Sequence, residues 1–250
     1  MVTPLDLQKF PRSQILTIAK IAEMSERFDD VAKVTKQLWT RVKDDGGFLP
    51  EERDLFIVGY KNAIGRRRAS AKKIKTLLMS GQRSATDRED LLEFYLNIIQ
   101  REIIALCNEV LAVVDEYLHA TEDDLLSRAI FLKTKADYYR YMAEVKRGTD
   151  NQHCVDIATA TYEEVHQLVS THLCPTDPVF LGIALNYSVF LHEHLKNPTE
   201  AIRIAQKTFD DAVAELDAVS ESQHRDAAFI LKIMRENLEF WRAKSTRKIP

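Results

Sequence analysis

The sequence predicts an all-α chain, and three observations carry that reading. Only seven Gly and seven Pro occur in 250 residues, too few for a many-stranded fold with frequent tight turns. No Pro stands between Pro50 and Pro175, so long stretches are free to run as uninterrupted helices. Apolar residues recur at three- and four-residue spacing through most segments, the period of a helix packed on one face. The segments amount to nine helices with mostly short antiparallel connections. No signature repeats at the fixed spacing of a helical-repeat solenoid.

Taken in order, Ser13 can cap a first helix that carries Ile15, Ile18, Ile21, Ala22 and Ser25. A second carries Phe28, Val31, Val34, Leu38 and Trp39 and stops at Asp44-Asp-Gly-Gly47. Phe48-Leu-Pro50-Glu-Glu opens a long third helix, with Pro early and acids in the first turn. It runs to about Ser80, where Gly81 is a natural stop. Thr86-Asp-Arg-Glu89 resembles a capping box before a fourth helix reaching about His119. Thr121-Glu-Asp-Asp124 starts the fifth and Gly148 ends it; Asp150 caps a sixth that reaches about His172. Asp177-Pro178 and Asn197-Pro198 each pair an N-cap with Pro at the first helical position. Ser222 caps the last helix, whose broad face holds Phe229, Ile230, Ile233, Met234, Asn237, Phe240 and Trp241. No linker-like composition divides the chain. It reads as one domain over residues 1–243, with a short basic tail at 244–250.

Composition narrows the function. With 45% apolar and 29% charged residues the chain can bury a sizeable core. A net charge of −3 gives no support to nucleic-acid binding. No apolar run approaches the roughly 20 residues of a membrane span, and the N-terminus lacks the basic-then-apolar order of a signal peptide. Cys107, Cys154 and Cys174 lack C-x-x-C spacing and suit buried reduced thiols in a cytoplasmic protein. Enzyme signatures are scarce: there is no H-E-x-x-H, no G-x-S-x-G and no phosphate-cradling Gly loop. His192 and His194 diverge on a helix. Asp211 and Glu215, in Asp210-Asp-Ala-Val-Ala-Glu215, share a face as a magnesium-binding helix would. A facing acidic cluster is missing, so a solvated face is the better reading. No cofactor and no metal is expected.

Binding signals are better. Lys133, Asp137, Arg140 and Glu144 follow at i, i+4, i+7 and i+11, a single charged ridge with Tyr141 beside it. Pattern alone leaves two readings open: a salt-bridged surface helix, or an Arg-Tyr pair placed to take an anion. Lys61 and Arg68 stand seven apart, two turns along nearly one side of the third helix. With Arg140 and Tyr141 they could surround a phosphate, which carries about −1.5 to −2 charges. Asn186, Val189 and Glu193 fall at i, i+3 and i+7, and Asn237 and Trp241 stand four apart. Each Asn lies by an apolar wall, Leu185 with Val189 and Ile230 with Ile233, as a clamp on an extended peptide would.

Tyr60-Lys-Asn, Gly65-x-Arg-Arg-x-Ser70, Asp137-Tyr-Tyr-Arg-Tyr141, Leu185-Asn-Tyr-Ser-Val-Phe190, Phe209-Asp-x-Ala-x-Ala-Glu-Leu216 and Arg235-Glu-Asn-Leu-x-x-Trp241 resemble the signatures of the 14-3-3 family. They are spread in order from about Ala19 to Trp241. The resemblance implies a nine-helix, cup-shaped subunit with an amphipathic groove for phosphoserine or phosphothreonine peptides. Residues about 1–119 would form the dimerisation half with part of the groove, and about 121–243 the rest of it.

Carried over by position, Lys61, Arg68, Arg140 and Tyr141 would hold the phosphate. Asn186 and Asn237 would clamp the peptide backbone, with Glu193 and Trp241 beside the latter. Leu185, Val189, Ile230 and Ile233 would form the apolar wall, and Lys133 would lie near the residues that follow the phosphate. The implied role is a non-catalytic adaptor for phosphorylated client proteins; the alternative is a helical-repeat-like scaffold for unmodified peptides. Homodimers are expected, with paralogue heterodimers as the variant, through an interface holding Ile21, Ser25, Arg27, Asp30, Ser70, Tyr95, Ile98 and Glu102. There Arg27 would pair with Glu102, whereas Asp30 would meet Ile98 in place of a lysine. Arg67-Arg68-Ala-Ser70 reads as a basophilic kinase site, and Ser245 in the basic tail as a second candidate for phosphorylation.

Overall fold

The protein is described by a computed structural model that covers residues 7–80, 89–120, 124–218 and 220–246. These residues form nine α-helices and no strand: α1 (Arg12–Met24), α2 (Phe28–Val42), α3 (Pro50–Ser80), α4 (Glu89–Ala120), α5 (Leu125–Ala143), α6 (Gly148–His172), α7 (Pro178–Glu193), α8 (Pro198–Glu215) and α9 (Glu221–Thr246). A 3-10 turn at Leu216–Ala218 follows α8. The predicted all-α class stands. The chain divides into two compact units, one of residues 1–127 and 141–151, the other of 128–140 and 152–250.

In the first unit α2 packs between α1 and α3, and α3 also packs on α4. The core is built from Ile15, Val34, Leu38, Phe56, Ile64, Ile103 and Val114, all fully buried. Trp39, Phe48, Phe56 and Tyr60 form a chain of tilted ring contacts 5.0 to 5.5 Å apart. The loop before α3 turns on Gly46 and Gly47, both at φ +75, a backbone region in which a side chain is strained. Gly47 N–H then returns to the Val42 carbonyl at 2.8 Å and closes the end of α2. Glu52 stabilises the start of α3, accepting from the Leu49 N–H at 2.8 Å, the backward half of a capping box. Its carboxylate is buried, and Arg12 of α1 meets it with two hydrogen bonds at 2.7 and 2.6 Å.

In the second unit α7, α8 and α9 pack on one another. Asp177 and Asn197 cap α7 and α8 as expected: Asp177 accepts from Val179 N–H at 2.7 Å and Asn197 from Glu200 N–H at 3.2 Å. Other boundaries need correction. Pro11 rather than Ser13 is the N-cap of α1, and Ser13 sits inside the helix. Gly148 does not end α5. That helix stops at Ala143, and Gly148, at φ +60, opens α6, so Asp150 lies in the first turn of α6. Asn151 replaces the missing partner by donating its side-chain amide to the Ala143 carbonyl. The last helix begins at Glu221, so Ser222 is not its cap, and it continues to Thr246 through the start of the expected tail. Gly81, Thr86 and Thr121, read as stop and start signals, lie outside the described residues.

Candidate phosphate and peptide site

Helix α5 carries Lys133, Asp137 and Arg140 of the charged ridge, whereas Glu144 lies just past its end at Ala143, and the ridge is not a solvated face. Asp137 is 5% exposed, and its carboxylate is fully engaged within the second unit. Lys133 donates to Oδ2 at 2.7 Å and Arg140 to Oδ1 at 2.9 Å, from one turn before and one turn after. The Tyr162 hydroxyl of α6 also donates to Oδ1. Asn186 of α7 places its amide nitrogen 2.9 Å from both oxygens. Burial opposes ionisation of Asp137, yet Lys133 and Arg140, helped by hydrogen bonds from Lys133 and Tyr162, hold its carboxyl far below the usual carboxylate range. Burial and then the Asp137 charge raise the Tyr162 phenol well above its ordinary value. Arg140 Nε completes the cluster, 3.2 Å from the Tyr162 oxygen.

The first unit contains a second arrangement of the same kind. Arg68 of α3 donates to both oxygens of Glu144, at 2.9 and 2.6 Å, in the planar fork that suits guanidinium and carboxylate. The Arg68 guanidinium also lies over the Tyr141 ring, 4.0 Å from its centroid. Lys75 Nζ donates to the Glu144 backbone carbonyl at 3.1 Å. Lys61 is exposed, two turns before Arg68 on the same helix. Arg140 and Tyr141 are consecutive residues of α5. Both guanidiniums are thus fixed by a carboxylate of their own unit.

The second unit also positions the expected peptide contacts. Leu185, Val189, Ile230 and Ile233 are all half-buried on α7 and α9. Ile230 leans on a core of Leu181, Ala212, Ala227 and Leu231. Asn237 is half-buried, one turn before the buried Trp241. Sequence reasoning weighed His192 only as one of two diverging histidines and gave it no place beside Trp241. Its ring stacks on Trp241 at 4.7 Å and 12°, and its Nδ1 lies 2.8 Å from the exposed Glu193 carboxylate. It also missed Tyr162 and did not foresee that Asp137 occupies the Asn186 amide. The Asp210 cluster is a set of surface pairs: Gln206 donates to Asp210 and Lys207 to Asp211, each at 2.6 Å. Cys107 and Cys154 are buried as expected, whereas Cys174, in the turn before α7, is exposed. Among the described residues no group of three His, Cys, Asp or Glu side chains could hold a metal ion, and no helix is long and apolar enough to cross a membrane.

Of the expected interface residues, Ser70, Tyr95 and Glu102 line one 370 Å³ depression of the first unit, with Arg66, Arg67 and Lys73 around them. Glu102 is held by Arg67 at 2.8 Å, and Arg67 also reaches Asp29 at 2.8 Å. Arg27 pairs with Asp30 three residues on. Ile21 and Tyr95 are 60% and 57% exposed, Ser25 is exposed and Ile98 is half-buried. The side chain of Ser245 lies outside the described residues.

Comparison with known proteins points to one family. Residues 18–242 match the family model described as 14-3-3 protein. The chain is 37% identical over 231 residues to 14-3-3 protein zeta of Xenopus laevis, covering 92% of each chain.

Proposed function

The chain belongs to the 14-3-3 family, and we propose that it is a phosphoserine- or phosphothreonine-peptide-binding adaptor without a catalytic step. In this reading it holds, masks or bridges phosphorylated client proteins in the cytoplasm. The observation that carries the reading is the paired tethering of Arg68 by Glu144 and of Arg140 by Asp137. A guanidinium held by a carboxylate keeps its geometry without a ligand. Less side-chain entropy is then lost when an anion arrives. Lys61, Arg68, Arg140 and the Tyr141 hydroxyl are the proposed phosphate ligands. Charge-assisted hydrogen bonds contribute roughly 1.5–3 kcal/mol each, so a few of them make the phosphate decisive.

Asn186 and Asn237 clamp the peptide backbone in this account, with Glu193 and Trp241 beside Asn237 and Lys133 near the residues after the phosphate. Leu185, Val189, Ile230 and Ile233 supply the apolar wall. Asn186 shares its amide with Asp137, which sets the orientation of the group that meets the peptide. Lys61→Glu is the cleanest variant, because Lys61 is exposed and makes no ion pair among the described residues. We expect Lys61→Glu and Arg140→Ala each to weaken a labelled phosphoserine peptide by at least about tenfold, with an unchanged helical circular-dichroism signal for Lys61→Glu. Wild-type affinity in both variants contradicts the assignment.

A further inference from the structure

The cationic stripe of α3 continues past the proposed phosphate ligands. Lys61, Gly65, Arg68, Lys72 and Lys75 stand at i, i+4, i+7, i+11 and i+14, one side of a single helix. Beyond Arg68 the stripe borders a 550 Å³ cavity within the first unit, lined by Gly65, Arg68, Lys72 and Lys75 of α3, Ile103 of α4, and Glu144. That lining holds three cations and one carboxylate, and the carboxylate is taken by Arg68 through two hydrogen bonds. Lys75 gives one hydrogen bond to the Glu144 carbonyl and keeps two further N–H groups. Lys72 is exposed and makes no ion pair among the described residues. A Cβ at Gly65 would meet nothing within 4 Å, so space stays open between Lys61 and Arg68.

We propose that this cavity takes a second anionic group of the client, a carboxylate or phosphate on the same peptide; the inference rests on the phosphopeptide reading above. Lys72 and Lys75 lie four and seven residues beyond Arg68, about 6 and 10.5 Å along the helix axis at 1.5 Å per residue. An extended peptide advances about 3.3 Å per residue. The second anion therefore belongs two or three residues from the phosphorylated one. On the side of the peptide that faces the cavity, a basic residue at that offset meets like charge, which makes the cavity a filter among clients as well as a source of affinity.

Fluorescence anisotropy with the full chain and a peptide set tests this. The reference peptide carries one phosphoserine among alanines. Others add Glu, or a second phosphoserine, two or three residues away on either side. On one side Glu should lower the Kd about threefold and a second phosphoserine about tenfold at low salt, both gains shrinking as salt rises. Lys72→Ala should reduce the gain and Lys72→Ala with Lys75→Ala should abolish it. Lys232→Ala, at an exposed position of α9, should keep it. A gain confined to the second phosphoserine supports the site with phosphate as its ligand; a gain for both supports one that also accepts carboxylate. If the reference peptide binds and no second anion on either side improves it, or if the gain survives in the double variant, the inference is overturned. If no phosphopeptide binds, the adaptor reading itself fails and takes this one with it.

Discussion

Asp137 keeps its charge at 5% exposure because Lys133, Arg140, Tyr162 and Asn186 all direct polar hydrogens at its carboxylate. A ridge at i, i+4, i+7 and i+11 looks like surface charge, and no periodicity distinguishes a solvated Asp from one that Tyr162 and Asn186 cover from two other helices. Those contacts come from residues 25 and 49 positions away, beyond any local signal. The physical consequence is testable. Because the folded carboxyl is held below its unfolded value near pH 3.9, it contributes stability above about pH 4, lost as pH falls toward the folded pKa. Asp137→Asn leaves Lys133 and Arg140 without their shared counter-charge. It should cost about 3–5 kcal/mol at neutral pH, and the gap to wild type should narrow below pH 4. Thermal melts of both proteins from pH 7 to pH 3 read this directly; a gap that stays constant with pH contradicts the role given to the ionised form.

At the scale of the element, local signals worked where two of them coincided. Asp177-Pro178 and Asn197-Pro198 combine a side-chain cap with a residue pre-set for the first turn, and both caps form. Ser13 and Ser222 had only a single polar residue behind them, and the helices start earlier. Gly148 is a breaker whose φ of +60 suits either the end of one helix or the start of the next, and sequence alone favours neither. Gly59 escaped notice because a Gly within a helix carries no periodic signal. Its role is close packing: a Cβ there would meet Val31 Cγ1 at 2.8 Å and the Ala32 nitrogen at 3.0 Å, so α2 rests on the bare backbone of α3. Gly59→Ala should therefore destabilise the chain by about 1–3 kcal/mol, despite the better helix propensity of Ala. Urea unfolding measures it; an unchanged or raised midpoint contradicts the packing account.

At the scale of the whole molecule, the same motif residues that suggested the phosphate site also identified the family, because charge, amide and aromatic positions recur in fixed order along most of the chain. Self-association follows as a proposal from that membership and from the surface of the first unit. Ile21, Met24, Leu91, Phe94 and Tyr95 are each more than half exposed, an apolar group on α1 and α4 of the sort that marks an interface. Light scattering should give about twice the 28.7 kDa chain mass at micromolar concentration. Ser70 stands among Arg66, Arg67 and Lys73, so a phosphate of about −2 there finds counter-charges within one chain. Ser70→Glu should move the population toward monomer, and a fully dimeric Ser70→Glu protein contradicts that control.

The central claim is that a phosphate on the client decides binding. Isothermal titration of the purified chain with one peptide in two forms, Arg-Ser-x-Ser-x-Pro with and without phosphate on its central serine, tests it most directly. The account predicts one phosphopeptide per chain and a loss of at least about a hundredfold in affinity without the phosphate, the difference that two charge-assisted hydrogen bonds make. Equal affinity for the two forms would contradict it and favour a scaffold for unmodified peptides.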